Sequence, residues 1–388
     1  MGPDRRAAPP RVARVRPRQR LHVERTRRTA GRREPDRIDG RIRPERVRIP
    51  NVGFAPVTAS PSSSTPDQTP PYGPSDRQRR RPFRFTVQAS HLADPESLRP
   101  LARRAEDLGA AMLTVADHLD DQLSPVAAMM AAADATTTLR IGSLLFANDF
   151  RHPAVLAKEI ATIDRLSGGR IEFGLGAGWM ATDYQQSGVP LDSPRVRIER
   201  MDEALGIISA LWSAEPVTHH GTHYRIDGLS CVPLPAQPGG PPIWVGGGGR
   251  RVIEVAARRA DVVHLNPSLR AGVIDHRAGP SATAEATEQK LAWAKDAAPE
   301  RFDELEIGVR VHLATVTDDR ESIVELFAEV FGLTNDEARR TPHALCGSVD
   351  QIVEQLLVQR ERFGITTIGI SASALDDLAP VIERLSGA

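Results

Sequence analysis

The regular alternation of strand-type and helix-type segments over residues 83–388 is the feature that most constrains the fold of this chain. Short apolar runs such as residues 112–116 and 261–265 are typical of buried strands, and residues 95–108 place apolar side chains at helical spacing. The same patterns predict further strands at residues 139–146 and 306–316, a hairpin at residues 217–227, and helices at residues 125–135, 250–259 and 349–363. Eight such strands, nearly all separated by helices, predict a parallel sheet closed as a (β/α)8 TIM barrel. Insertions are expected near residues 184–194, after strand four, and near residues 214–241, before strand five. A doubly wound open sheet is the alternative fold.

Residues 1–82 differ sharply in composition from the rest of the chain. They carry 21 Arg, no Lys and 8 acidic residues, whereas the remainder has 29 basic and 42 acidic residues, although the whole chain has a formal net charge of zero. An Arg/Pro-rich segment followed by a Ser/Pro/Thr-rich one buries too little apolar surface to offset the entropy of ordering it. We therefore predict a disordered tail at residues 1–82 and a single barrel domain at residues 83–388.

Three roles for this tail are open: nucleic-acid binding, export and none. Arginine clusters can neutralise nucleic-acid phosphates, but no aromatic side chain is interleaved among them to stack on bases, so nucleic acid is not an expected partner. The paired arginines are not followed by the apolar region that an export signal requires. The favoured interpretation is a dispensable tail, such as a leader translated from a misassigned start codon.

The sequence argues against membrane association and against a metal site. No apolar run is long enough to span a bilayer, so no membrane association is expected. Cys231 and Cys346 lie far apart and lack a Cys-x-x-Cys spacing, which argues against a structural disulfide and a thiolate metal site. The histidines also lack metal-ligand spacing with carboxylates, and no metal is expected. A cytoplasmic location is the default.

Residues 167–184 form a strand that leads into a glycine-rich turn. Gly174, Gly176 and Gly178 occupy alternate positions, and Trp179 follows at once. Glycines at this spacing let the backbone approach a ligand closely, and an indole offers a flat apolar wall for a planar ring. A tight strand-to-helix turn with Trp179 in the core explains the same residues about equally well.

Chemistry in a barrel lies at the carboxyl ends of the strands, and four predicted strands carry candidate residues there. The four consecutive glycines after the fifth strand expose backbone N–H groups at the positive end of a helix, which suits a phosphate. The candidates are Asp117 and His118 as catalytic residues, and Leu144, Leu145, Asn148, Ala177, Gly178, Trp179, Gly246, Gly247, Gly248, Gly249 and Arg250 as cofactor-binding residues.

On these stretches the chain resembles the bacterial luciferase-like flavin and deazaflavin oxidoreductases, most closely the actinobacterial branch thought to use coenzyme F420. The similarity runs in family order over nearly all of the predicted barrel and leaves residues 1–82 without a counterpart. It supports the fold and a flavin-type cofactor and says little about the substrate. The matching stretches are residues 116–119, 139–143, 148–154, 161–170, 174–179 and 242–249.

The resemblance implies a role for most of the candidate positions. Asp117 and His118 would lie beside the reactive edge of the ring, and the Leu144–Leu145 peptide would be cis and bulge under the central ring. Residues 177–179 would flank the ring and its side chain. Residues 246–250 would bind the phosphate.

One departure from the family pattern bears on the substrate. Some sugar-phosphate dehydrogenases of the family have a tryptophan shortly after the Asp-His pair, whereas Asp120, Asp121 and Gln122 follow it here. A sugar phosphate is therefore not the expected substrate.

The expected function is hydride transfer between coenzyme F420 and a small organic substrate. His118 would move the accompanying proton, and Asp117 would influence its orientation or charge. A monooxygenase that uses reduced FMN and oxygen is one alternative, and a non-catalytic flavin or deazaflavin binder is another. Relatives of this kind pair through barrel helices, so a homodimer is expected.

Overall fold

Eight parallel strands close into a barrel, as the alternation of strands and helices predicts. The computed structural model describes residues 73–90, 92 and 94–387, and the prediction for residues 1–72 lies outside them. The strands of this part of the chain are β1 (Arg84–Ala89), β2 (Met112–Val115), β3 (Arg140–Ser143), β4 (Phe146–Ala147), β5 (Ile171–Gly176), β6 (Val217–His220), β7 (Arg225–Leu229), β8 (Ile243–Gly247), β9 (Val262–Leu265), β10 (Glu306–Arg310), β11 (Leu313–Val316), β12 (Ala344–Gly347) and β13 (Ile365–Ser371).

The barrel strands follow one another in the order β1, β2, β3, β5, β8, β9, β10 and β13, and β13 pairs with β1 to close the ring. Helices follow the barrel strands and pack around them, as in other barrels of this class. The helices of the described residues are α1 (Asp76–Arg79), α2 (Leu98–Asp107), α3 (Pro125–Ala135), α4 (Pro153–Leu166), α5 (Ala181–Ser187), α6 (Pro194–Leu211), α7 (Arg250–Arg259), α8 (Ala284–Ala297), α9 (Arg320–Phe331), α10 (Asn335–Arg340), α11 (Val349–Phe363) and α12 (Ala379–Leu385).

The main core lies between the strands and the surrounding helices. Phe173 on β5 is fully buried there, and its ring meets the Trp212 ring edge-on at a centroid distance of 5.4 Å. Most barrel strands are buried on both faces, which explains why their sequences read as short apolar runs. The hairpin predicted over residues 217–227 is confirmed as the antiparallel pair β6–β7. No helix among the described residues is long and apolar enough to cross a membrane.

A charge cluster fills the amino-terminal end of the barrel. The buried carboxylate of Glu172 on β5 accepts hydrogen bonds from Arg84 on β1 and Arg140 on β3, and from the Trp244 indole N–H at 2.6 Å. Arg84 also pairs with Glu306 on β10 at 2.9 Å. These contacts tie five strands together at the end of the barrel opposite to the expected chemistry.

The predicted start of the ordered domain at residue 83 is too late. The short helix α1 lies inside the segment predicted to be a disordered tail, and its Gln78 side chain is fully buried. The Gln78 amide donates to the Phe302 carbonyl at 2.9 Å and to the Leu305 carbonyl at 3.3 Å. A capping box between Ser75 and Gln78 starts the helix, a local signal that the Arg-rich composition obscures.

The single strand predicted over residues 306–316 is two strands. β10 stays in the barrel, whereas β11 leaves it and pairs in parallel with β12, which the sequence did not reveal. The change of partner occurs at two consecutive residues: the Val311 N–H donates to the Gly369 carbonyl, and the His312 N–H donates to the His343 carbonyl, both at 2.8 Å.

Candidate functional site

A cavity of about 900 Å³ opens at the carboxyl ends of the barrel strands. Eleven of the thirteen candidate residues line it, and they come from loops that are far apart in the sequence. Asn148 and Arg250 are absent from its lining. The candidates that the fold brings together are Asp117, His118, Leu144, Leu145, Ala177, Gly178, Trp179, Gly246, Gly247, Gly248 and Gly249.

His118 is held by a carboxylate that the sequence did not reveal. Its Nδ1 lies 2.7 Å from Oδ2 of Asp183 on α5, and Oδ1 of the same carboxylate accepts the Leu119 backbone N–H at 3.1 Å. The Trp179 ring stands edge-on to the imidazole at a centroid distance of 5.5 Å. Because an ionised carboxylate only accepts hydrogen bonds, Nδ1 carries the hydrogen and Nε2 is the nitrogen left for the cavity.

The Asp117 carboxylate is hydrogen-bonded to groups other than His118, and its influence on the orientation or charge of His118 stays a prediction. Its Oδ2 accepts the Ala147 backbone N–H at 2.9 Å and a hydrogen bond from Arg151 Nη1 at 2.6 Å. The carboxylate is buried, and Arg151 neutralises it. Asp117 therefore ties the end of β2 to the loop that leads into α4.

The Leu144–Leu145 peptide is cis, as the family resemblance implies. It separates β3 from β4, so the one strand predicted over residues 139–146 is interrupted there. Glycines make room for the Leu145 side chain: a Cβ on Gly174 would lie 2.7 Å from Leu145 Cδ2, and one on Gly246 would lie 3.1 Å from Cδ1. Gly174, interpreted as a ligand-approach position, and Gly246, interpreted as part of a phosphate-binding turn, thus accommodate the Leu145 side chain.

Position 178 requires glycine for two reasons, its backbone conformation and the adjacent Tyr184 side chain. Its φ is +74°, a left-handed conformation, and a Cβ there would lie 1.8 Å from Tyr184 Oη. The Tyr184 hydroxyl donates to Asp149 Oδ2 at 3.0 Å. Burial raises the pKa of Tyr184, with Asp149 adding to the effect, so the phenol keeps its proton. Arg197 on α6 fixes the same turn by donating to the carbonyls of Ala177 and Gly178.

The glycine run at the end of β8 is a strand-to-helix turn beside the cavity. Gly249 is the N-cap of α7, so backbone N–H groups of its first turn stand at the positive end of the helix. The Arg250 side chain is exposed and donates to Glu254 at 2.8 Å, away from the cavity. Asn148 is buried and donates to the Tyr224 hydroxyl at 3.1 Å. Neither side chain is placed to contact a molecule in the cavity.

A second polar wall, made by β9, β10 and β13, was missed in the sequence. Arg310 lines the cavity and donates to Ser371 Oγ at 2.8 Å and to the Gly369 carbonyl at 3.4 Å. His264 and His312 line it as well, and burial lowers the pKa of each to about 3, so both are neutral at neutral pH. His264 lies near the end of the strand predicted over residues 261–265, and inspection of that strand end would have found it. Arg310 and His312 lie inside the single strand predicted over residues 306–316, so the predicted strand ends gave no signal for them.

No group of three or more histidine, cysteine or acidic side chains is placed to hold a metal ion in the part of the chain that the structure describes. Cys231 and Cys346 are both free and buried.

The chain is similar to known proteins in three respects: a family profile, the sequences of individual relatives, and the fold of solved structures. The profile described as luciferase-like monooxygenase matches residues 80–367. An F420-dependent glucose-6-phosphate dehydrogenase of Amycolatopsis mediterranei is 31% identical over 175 residues, which are 43% of this chain and 52% of that protein. An FMNH(2)-dependent dimethylsulfone monooxygenase of Pseudomonas putida is 29% identical over 171 residues, 43% of this chain and 47% of that protein.

The chain thus spans about half the length of these curated relatives. Among solved structures, the coenzyme F420 dependent tetrahydromethanopterin reductase from Methanopyrus kandleri superposes with a TM-score of 0.61 at 18% identity. The superposition covers 79% of this chain and 100% of that one. At this identity the likeness concerns the fold alone.

Proposed function

The chain belongs to the luciferase-like monooxygenase family, and from this membership and the site we propose that it is an oxidoreductase that uses coenzyme F420 to transfer a hydride to or from a small organic substrate. The main support is the position of His118, whose imidazole is held by Asp183 and faces the cavity that Leu144, Leu145 and Trp179 also line. A group able to move a proton therefore lies in the same space as the expected ring site.

The residues present fit a cofactor with a planar ring and a phosphate. Leu144, Leu145 and Trp179 supply apolar surface for a ring, and the cavity has room for a cofactor together with a substrate. The turn at residues 246–249 would hold the phosphate through backbone N–H groups at the start of α7. The Arg250 side chain is not part of this proposal, because it pairs with Glu254 outside the cavity.

The bound deazaflavin would supply or accept the hydride, and the residues of this chain would handle the proton and the solvent. With Nδ1–H donated to Asp183, His118 Nε2 is the atom that would take a proton from the substrate or return it. The Asp183 carboxylate stabilises the imidazolium that forms when Nε2 is protonated. Trp179 packs against the imidazole and limits the access of water to it.

A monooxygenase that uses reduced FMN is the second candidate, and the similarity to the dimethylsulfone monooxygenase favours it. Titration of the purified, cofactor-free protein with F420 and with FMN separates the two, because the two chromophores differ in absorbance and fluorescence. We expect F420 to bind at least about tenfold more tightly, a difference of about 1.4 kcal/mol. Tighter binding of FMN would favour the monooxygenase, and binding of neither would reject both.

A non-catalytic cofactor binder is the third possibility, and turnover distinguishes it. The F420-loaded protein should oxidise or reduce at least one member of a broad set of alcohols, aldehydes, ketones and enones, which is followed as a change in F420 absorbance. Binding of F420 without turnover of any compound in the set would favour the non-catalytic alternative. The homodimer and the cytoplasmic location stay predictions, and sedimentation at micromolar concentration tests the former.

A further inference from the structure

The polar wall beside the glycine turn contains a positive charge without a carboxylate partner. Arg310 makes no ion pair within the described residues, and its hydrogen-bond acceptors are the neutral Ser371 Oγ and Gly369 carbonyl. Burial lowers the pKa of Arg310 to about 10, which still leaves the guanidinium charged at neutral pH. Of its five N–H groups, these contacts use two, so the remaining donors are available to a molecule in the cavity.

His264 provides a second, independent sign of an absent ligand. It is 3% exposed, it lines the cavity, and neither ring nitrogen has a hydrogen-bond partner. A buried imidazole without partners loses its hydrogen bonds to water and gains none in exchange. Its neutral ring has one N–H to donate, and the charge of Arg310 is close enough to oppose its protonation.

Asn266 adds a further donor to this wall. His312 Nε2 lies 2.8 Å from Asn266 Oδ1, so the imidazole donates and the amide oxygen is occupied. The amide nitrogen of Asn266 has no hydrogen bond among the described residues, and Asn266 lines the cavity. The wall therefore offers one fixed positive charge and neutral N–H donors.

The carboxylates in the cavity lining do not neutralise this charge. Asp117, in the loop after β2, is paired with Arg151, and Asp183, in helix α5, is paired with His118. From these contacts we propose that Arg310, His264 and Asn266 bind the carboxylate of a small organic acid, which is the substrate of the oxidoreductase proposed above. A single cation matches a monoanion better than a phosphate dianion, and the guanidinium fork matches the two oxygens of a carboxylate.

This site would also orient the substrate. Arg310 and His118 line the same cavity, and their strands β10 and β2 are separated around the barrel by β13 and β1. An acid held by its carboxylate at Arg310 would extend across the cavity and present its far end to His118. The proposal rests on the proposed function for the reaction, but not for the binding of the anion.

Calorimetric titration with matched pairs of ligands tests the carboxylate site. The ligands are carboxylic acids from propionate to phenylacetate, each compared with its amide, and phenyl phosphate represents the dianion. The protein is loaded with the cofactor it binds, or used free if it binds neither, so the anion site is tested even if the proposed function fails. We expect at least one acid to bind at least about tenfold more tightly than its amide and than phenyl phosphate.

Variants of Arg310 test whether this residue binds the carboxylate. Arg310→Gln should lower the affinity for the acid by roughly 10- to 100-fold, because a charge-assisted hydrogen bond is lost, and should leave the cofactor affinity unchanged. Arg310→Lys should keep part of the affinity because it keeps the charge. Arg104→Gln removes an exposed arginine that pairs with Asp376 outside the cavity, and it should bind like the parent.

Any of the following results would overturn the carboxylate site: no acid binds saturably, the amides bind as tightly as the acids, phenyl phosphate binds more tightly than the acids, or Arg310→Gln binds acids like the parent. A loss of cofactor affinity in a folded Arg310→Gln protein would assign Arg310 to the cofactor and would equally overturn it. Circular dichroism and thermal unfolding report whether that variant is folded.

Discussion

His118 Nδ1 lies 2.7 Å from Asp183 Oδ2, and the other oxygen of that carboxylate accepts the backbone N–H of Leu119. Asp183 thus holds both the ring of His118 and the loop that carries it. His118 lies in the loop after β2, and Asp183 lies in helix α5. Any shift of α5 therefore moves the imidazole and the loop that carries it together.

The first prediction concerns this pair. His118→Ala should slow single-turnover reduction of the cofactor by an accepted substrate by ~10²–10⁴-fold, the usual contribution of a positioned acid or base. Asp183→Asn should slow it less, because the amide oxygen can still accept the Nδ1–H of His118 while the negative charge beside the ring is lost. His220→Ala, on the exposed hairpin, is the matched control. Parent-like turnover by His118→Ala would make His118 a spectator.

The second prediction concerns the turn at Gly178. Gly178→Ala places a Cβ 1.8 Å from Tyr184 Oη and should displace the Tyr184–Asp149 contact, with a loss of cofactor affinity and of stability. Gly188→Ala is the control, because Gly188 has nearly the same φ, +77°, and no atom within 4 Å of the added Cβ. It should show only the cost of the left-handed backbone, about 1 kcal/mol. Equal losses of affinity in the two variants would refute the steric explanation.

The third prediction is a pH dependence of stability that arises from Lys290. This side chain is 1% exposed, donates to the Ser281 carbonyl at 2.6 Å, and has a pKa that burial lowers from 10.5 to about 7. Between these values the unfolded chain holds the proton and the folded chain does not. The free energy of unfolding should therefore rise as pH increases from 7, by roughly 1 kcal/mol per pH unit from this group.

Urea unfolding between pH 7 and pH 9 checks this contribution. Lys290→Met should flatten the rise, because it removes the titrating group and keeps an apolar stem of similar length. Lys295→Met, on the same helix α8 but partly exposed, should leave the slope as in the parent. Identical slopes in parent and Lys290→Met would show that Lys290 is protonated in the folded protein at pH 9.

The fourth prediction concerns the amino-terminal segment. Deletion of residues 1–72 should leave the melting temperature unchanged. Deletion of residues 1–80 removes Gln78 and its hydrogen bonds to the carbonyls of Phe302 and Leu305, and it should lower the free energy of unfolding by about 1–3 kcal/mol. Thermal unfolding of both truncated proteins beside the full chain measures this. Equal stability of the two truncated proteins would mean that α1 contributes nothing to folding.

Local signals in the sequence were sufficient for most of the fold. The helices Pro125–Ala135, Arg250–Arg259 and Val349–Phe363 begin and end where they were predicted, because proline, glycine and cap residues mark their ends. The strands were recognisable as short apolar runs because both of their faces are buried. The exit of β11 from the barrel was not predictable, since it depends on pairing with β12, a four-residue strand with no pattern of its own.

The candidate site was predicted less completely than the fold. The strand-end residues were found because the amino-acid types at strand ends are a local signal. The partnership of His118 with Asp183 spans 65 residues and depends on how α5 folds back over the cavity, which no local spacing encodes. Asp117 stands next to His118 in the sequence, and that adjacency suggested a partner that the fold assigns to Arg151.

The cluster around Glu172 and Arg84 has a consequence for how this protein can diversify. It secures the barrel at the end away from the cavity, and none of its residues lines the cavity. Random libraries in the cavity loops that keep the Asp117–Arg151 pair should therefore retain a high fraction of folded clones. Libraries that include Glu172 or its arginines should lose most of theirs, because each change leaves a buried charge unpaired.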